Sequence, residues 1–116
     1  MTDPTAAEIR HVYDAWHAAV VARDLDALLA LYADDAILET PLILVVQPEL
    51  RSGVLRGKDA LRAFFSAGLR DTPDGDQTDL VEVMDLAHGR IAHHRVYWGW
   101  VGFRGLAAAL AERRAS

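Results

Sequence analysis

Residues 80–101, LVEVMDLAHGRIAHHRVYWGWV, divide into two extended runs, Leu80 to Leu86 and Ile91 to Val101, around Ala87-His88-Gly89-Arg90. A two-residue His88-Gly89 loop suits a primed hairpin turn, because glycine adopts positive φ without steric cost. Pairing Ala87 with Arg90 predicts a register with Asp85 opposite Ala92, Val83 opposite His94, Glu82 opposite Arg95, Val81 opposite Val96 and Asp79 opposite Trp98. Side chains alternate along a strand. One face then carries Asp79, Val81, Val83, Asp85, Ala92, His94, Val96 and Trp98, and the other carries Leu80, Glu82, Met84, Leu86, Ile91, His93, Arg95 and Tyr97. Both faces mix apolar and ionisable groups, which suits a sheet covered by helices on one side and by another subunit on the other.

Upstream of the hairpin the pattern is helical. Thr5-Ala6-Ala7-Glu8 reads as a capping box, and Ile9, Val12, Tyr13, Trp16 and Val20 recur at helical spacing, predicting a helix over 6–22. Asp24 caps a second, shorter helix with the stripe Leu25, Leu28, Leu29 and Tyr32, ending near Ala33-Asp34-Asp35. Ala36 to Val46 reads as extended, interrupted or edge-placed at Pro41, which has no N–H to give a ladder. Ser52 to Gly57 is a short strand, Lys58 to Leu69 a third helix, Asp71 to Asp76 a turn, and Phe103 to Arg114 a last helical segment. Helices first and antiparallel strands later make one α+β domain over 1–116.

Composition narrows the function classes. The chain has 116 residues, 12 basic against 17 acidic, a net charge of −5, and no cysteine. The acidic balance argues against nucleic acid as the main partner. No apolar run reaches the ~20 residues of a membrane helix, and the start MTDPTAAE lacks the regions of a signal peptide, so a cytoplasmic protein with no membrane partner is expected. Without cysteine there is neither a disulfide framework nor a thiol nucleophile. No phosphate-cradling loop is present, and no cofactor is expected.

His93 and His94 resemble a metal pair, but neighbours on a strand point to opposite faces, and His11 and His17 lie nearly opposite on their helix. No metal site is expected. His94 is the imidazole suited to proton transfer, with Asp85 as the diagonal neighbour that would orient it; the alternative is a core histidine satisfied by a carbonyl. Glu82 with Arg95 reads as a structural cross-strand ion pair. Tyr13, Trp16, Trp98 and Trp100 are candidates to line a cavity, or plain core.

In order, Asp24-Leu25-Asp26-Ala27-Leu28-Leu29-Ala30-Leu31-Tyr32-Ala33-Asp34-Asp35-Ala36, Glu39-Thr40-Pro41, Gly57 to Phe65 and Gly89 to Trp98 resemble the nuclear transport factor 2-like (NTF2-like) superfamily, most closely its SnoaL-like (polyketide cyclase-like) and ketosteroid isomerase-like branches. The resemblance implies three helices packed on a curved, mostly antiparallel sheet around a ligand pocket, here shortened by a strand pair between the third helix and Thr78. It also implies activities that range over isomerases, cyclases, dehydratases and non-catalytic binding modules. The isomerase-type first-helix Tyr falls at Trp16, its general-base Asp at Thr40 and its second acid near Val81, and the cyclase-type Asp falls near Trp98 to Trp100, where no acid stands. Glu39, beside Thr40, is the reserve acid.

The expected function is therefore that of a pocket protein performing acid–base isomerase, cyclase or dehydratase chemistry on a hydrophobic organic molecule. His94, Asp85 and Glu39 are the catalytic candidates, and Tyr13, Trp16, Thr40, Val81, Trp98 and Trp100 shape the pocket. The alternative is a non-catalytic ligand-binding or dimerisation module of the same fold. A homodimer is expected through the face of Leu80, Met84, Leu86, Ile91 and Tyr97, with Glu82, His93 and Arg95 supplying register.

Overall fold

A computed structural model describes residues 3–70, 80–99, 104, 105, 107, 108, 111 and 112. Helix α1 (Ala6–Ala22) starts on the predicted capping box: Glu8 N–H donates to Thr5 Oγ1 at 3.1 Å, and Thr5 N–H donates to Glu8 Oε2 at 3.0 Å. Arg23 ends it in the left-handed conformation (φ 54°), and Asp24 starts α2 (Leu25–Ala30) by accepting from Ala27 N–H at 3.1 Å.

Tyr32 belongs to strand β1 (Tyr32–Glu39), not to the helical stripe predicted for it. The backbone accounts for the difference: Ile91 N–H donates to Leu31 O at 2.7 Å, so the chain is claimed by a neighbouring strand as soon as α2 ends. A second correction follows Pro41. Leu42 to Val46 is not extended; residues Ile43–Val46 form a short helix, α3. Thr40 Oγ1 accepts from Leu42 N–H at 3.2 Å and Thr40 O from Ile43 N–H at 3.2 Å, so hydroxyl and proline turn chemistry overrides the strand preference of Ile and Val. A 3-10 turn (Pro48–Leu50), strand β2 (Val54–Arg56) and helix α4 (Lys58–Arg70) follow.

Strands β3 (Leu80–Ala87) and β4 (Arg90–Trp98) form the hairpin. His88 (φ 53°) and Gly89 (φ 76°) both lie at positive φ, as a type I′ turn requires. Sheet order is β2-β1-β4-β3, antiparallel except for the central β1–β4 pair. Of the C-terminal segment, the described residues 104, 105, 107, 108, 111 and 112 are helical.

The hairpin register departs from the predicted one at a single point. Ala87 faces Arg90 and Leu86 faces Ile91, but the next pair is Asp85 with His93, so Ala92 is an extra residue in β4. Beyond this bulge Met84 faces His94, Val83 faces Arg95, Glu82 faces Val96 and Val81 faces Tyr97. A one-residue shift moves a side chain to the other face of its partner strand. Inward, His94 and Ile91 join Tyr32, Ala36 and Leu38 against Val12, Leu28, Leu61, Phe64 and Phe65 of the helices. Outward lie Ile37, Glu39, Val81, Val83, Asp85, His93, Arg95 and Tyr97. The dimer face predicted above therefore does not exist as one surface. Ile91 is fully buried, Met84 and Leu86 pack on the core, and only Tyr97 of the larger members turns outward.

This packing sets a stability expectation. Leu61, fully buried where α4 meets the sheet, should lose about 2–5 kcal/mol in urea unfolding as Leu61→Ala, whereas Val21→Ala, at a position 84% exposed, should stay within about 0.5 kcal/mol of wild type.

Candidate active site

The bulge brings together four side chains from four elements, Trp16 of α1, Tyr32 of β1, Glu82 of β3 and His94 of β4. His94 is 2% exposed. Its Nδ1 lies 2.9 Å from Tyr32 Oη and its Nε2 lies 3.1 Å from Glu82 Oε1. Trp16 Nε1–H, from α1, donates to the same Tyr32 oxygen at 3.2 Å. Proton positions follow from what each group can do. The Glu82 carboxylate can only accept, so His94 carries a hydrogen on Nε2 and donates to it. The Nδ1 of the neutral ring then accepts from the Tyr32 O–H, and Tyr32 Oη accepts from the Trp16 indole. From the Trp16 indole to Glu82 Oε1, each donor meets an acceptor in this one tautomer. Burial drives the Tyr32 phenol far above its ordinary pKa; the Trp16 hydrogen bond opposes this and the Glu82 charge reinforces it. Tyr32 is thus a fixed donor.

Glu82 is the one member of the chain that is both ionisable and open, with 28% of its side chain exposed. It sits in the wall of a cavity of about 290 Å³ between α1 and β3. Tyr13, Trp16 and His17 form the helix side, and Glu82, Met84 and Leu86 the strand side. Trp16 meets His94 edge-on, with ring centroids 5.9 Å apart. Such an arrangement can hold a small apolar body against one carboxylate, which is the geometry of proton abstraction or delivery.

The residues predicted from sequence divide between this cavity and the opposite side of the sheet. Tyr13 and Trp16 line the cavity, and His94 stands directly behind it. Asp85 does not orient His94: it faces outward, where Arg95 Nη2 donates to its Oδ2 at 2.9 Å. The predicted Glu82–Arg95 pair is replaced accordingly by His94–Glu82 and Arg95–Asp85. Glu39 is also outward, 2.9 Å from His93 Nε2, so the two adjacent histidines serve opposite faces. Thr40 is buried and accepts from Trp98 Nε1–H at 3.3 Å. Val81 is exposed on the outer face, and Trp100 lies outside the described residues. Among the described residues no group of three or more His, Cys, Asp or Glu could hold a metal ion. Glu82 and His17 are the charged or imidazole-bearing cavity residues that sequence reasoning did not place there, along with the apolar lining residues Ile9, Val12, Met84 and Leu86. A bulge at Ala92 would have moved Glu82 beside His94, but no glycine or proline marks it.

The comparisons with known proteins agree with this architecture. Among proteins of curated function none matches the sequence significantly. A SnoaL-like protein of unknown function from Burkholderia thailandensis is 25% identical and superposes with a TM-score of 0.70, over 83% of this chain and 98% of that one. An NTF2-like protein of unknown function from Burkholderia xenovorans is 20% identical with a TM-score of 0.61, over 80% and 84%. A steroid delta-isomerase from Pseudomonas aeruginosa is 16% identical with a TM-score of 0.66, over 98% and 96%. The SnoaL-like domain model matches residues 9–98, which run from α1 through β4 and include every member of the Trp16–Tyr32–His94–Glu82 chain. By that match the chain belongs to the SnoaL-like domain family, and its fold is that of the NTF2-like structures.

Proposed function

We propose that this protein is an acid–base enzyme of the isomerase, cyclase or dehydratase type, acting in the cytoplasm on a small, largely apolar organic molecule. The observation that carries the reading is the position of Glu82, a carboxylate in the wall of an apolar cavity, with one oxygen held from behind by a buried imidazole. Of the three catalytic candidates, this reading keeps His94 as a positioning residue and gives the reacting role to Glu82. A cavity of about 290 Å³ is at the lower end of the range for small-molecule sites, which favours a substrate of one or two rings.

The carboxylate is tested with 5-nitro-1,2-benzisoxazole, a flat carbon acid whose ring opening needs only a base and is followed by absorbance, and whose size suits this cavity. Wild type should open it with saturable kinetics, and Glu82→Gln should reduce kcat/KM by ~10²–10⁴-fold while retaining the hydrogen bond from His94. Saturable binding without turnover in wild type would assign the domain to the non-catalytic binding class instead.

Tyr32→Phe tests positioning. His94 Nδ1 would lose its donor, at a cost of about 1–3 kcal/mol in unfolding free energy. Nitrogen-15 NMR of the imidazole should show a single Nε2–H tautomer in wild type and its loss in the variant. An unchanged tautomer would mean that Tyr32 does not set it.

The reading includes a homodimer, formed through the outer face rather than through the predicted one. Val54, Val81 and Tyr97 are each half or more exposed there, beside the Glu39–His93 and Arg95–Asp85 pairs, so a two-fold contact could bury apolar surface with both signs of charge available for register. Sedimentation at micromolar concentration should give a dimer that Tyr97→Asp dissociates; a wild-type monomer would refute it.

A further inference from the structure

Two titratable residues of the cavity, Tyr13 and His17, have no part in the chain that ends at Glu82, and the imidazole is the one held in place by a backbone bond. His17 lines the same cavity from α1. Its Nδ1 lies 2.9 Å from the carbonyl oxygen of Tyr13, one helical turn back. A carbonyl has no hydrogen to give, so Nδ1 must carry it, and the ring is fixed in one tautomer when neutral. The Tyr13 ring packs on it with centroids 4.4 Å apart, and Trp16 meets it edge-on at 5.4 Å. Two aromatic neighbours and a backbone bond thus define the orientation of an otherwise exposed side chain. Its Nε2 makes no hydrogen bond to the described residues. Neutral, that atom offers a lone pair; protonated, it offers an N–H.

We infer that His17 Nε2 is the second proton-transfer group of this site, working opposite Glu82. The inference rests on the reading of Glu82 as the reacting carboxylate. One apolar cavity then presents an acid–base pair from opposite walls, the carboxylate from β3 and the imidazole from α1. With a ketone in the cavity, Glu82 takes a proton from the carbon next to the carbonyl. The C–H electron pair becomes the C=C bond of an enol, and the carbonyl π pair takes the Nε2 proton of the His17 imidazolium to form O–H. Glu82 ends protonated and His17 neutral, and the reverse step restores both. A lone carboxylate would leave the developing oxyanion unpaired in an apolar site, which is costly, and His17 removes that charge as it forms.

The probe is 2-tetralone, a bicyclic ketone, with deuterium incorporation from heavy water followed by proton NMR. Wild type should accelerate exchange, and His17→Ala should slow it by ~10²–10⁴-fold, the usual contribution of a positioned acid or base. Imidazole added to the buffer should restore part of the His17→Ala rate with saturation, because the truncated side chain leaves room for it. Circular dichroism should match wild type, and His17→Gln should be equally slow but not rescued. A His17→Ala variant that exchanges at the wild-type rate overturns the inference, and so does a loss that imidazole does not restore. Glu82→Gln, run in parallel, separates the two readings. If it exchanges like wild type, the carboxylate reading falls; if it is inert while His17→Ala is fully active, His17 alone falls.

Discussion

An imidazole sealed from water must have both nitrogens satisfied, and that requirement at His94 organises the centre of this molecule. An unpaired ring nitrogen here would cost about 1–3 kcal/mol, a sizeable part of a small domain's stability. Tyr32 at one nitrogen and Glu82 at the other come from strands on either side of β4, so the hydrogen bonds that satisfy the ring also tie β1 to β3. The phenol is in turn saturated by the Trp16 indole, which joins α1 to the sheet. The core is thus crossed by one line of polar contacts that runs from an indole, which can only donate, to a carboxylate, which can only accept, and both ends stand in the cavity wall.

The bulge at Ala92 makes that line possible. Had the hairpin continued flush from its turn, His94 and Glu82 would lie on opposite faces, and burying the imidazole would have left it without a carboxylate. The extra residue reverses the face of everything after it in β4 relative to β3. Local signals made the hairpin itself legible: the turn residues His88 and Gly89 do adopt the required positive φ. The capping box at Thr5 and the helices beginning at Ala6, Leu25 and Lys58 were readable for the same reason, because each depends on contacts within one turn of the chain. The bulge has no such mark. It is favoured by burial of His94 and Ile91 on the same side, a tertiary demand invisible to neighbours in sequence. Tyr32 was misread for a related reason: its spacing continues the α2 stripe, while the hydrogen bond from Ile91 to Leu31 commits the backbone to the sheet. Of the candidate site, the aromatic wall of Tyr13 and Trp16 and the importance of His94 could be read from sequence, whereas the partner of His94 could not.

The same register also divides the charges of the sheet. Inside, the ionisable residues of the hairpin are His94 and Glu82, and they bond to each other. Outside, Glu39–His93 and Arg95–Asp85 lie in a surface layer with Val81 and Tyr97. Such pairs on an open face are worth little as stabilising contacts, about 0–1 kcal/mol each. They matter more in deciding what can pack there, since like charges set against one another are penalised and opposite ones set register. The adjacent histidines are therefore separate in function: one belongs to the interior line of polar groups, the other to the surface.

Trp16 shows how the chemistry of the cavity departs from the isomerase pattern that the sequence resembles. At the position where that pattern has a tyrosine, an indole can donate but cannot accept or ionise. Its one donor is already spent on Tyr32, so it cannot also stabilise a charge developing on a substrate. Thr40 likewise is occupied, accepting from Trp98 and from Leu42, and carries no carboxyl. A polar function at these positions has been turned inward, into holding the protein together. Among the described residues, what remains for a bound molecule to meet in the cavity, besides apolar walls, is the Glu82 carboxylate, the His17 imidazole and the Tyr13 phenol. On the reading proposed above, chemistry in this space starts from the carboxylate and the imidazole, with the reacting atoms of a bound molecule between the first helix and the edge strand rather than beside β1.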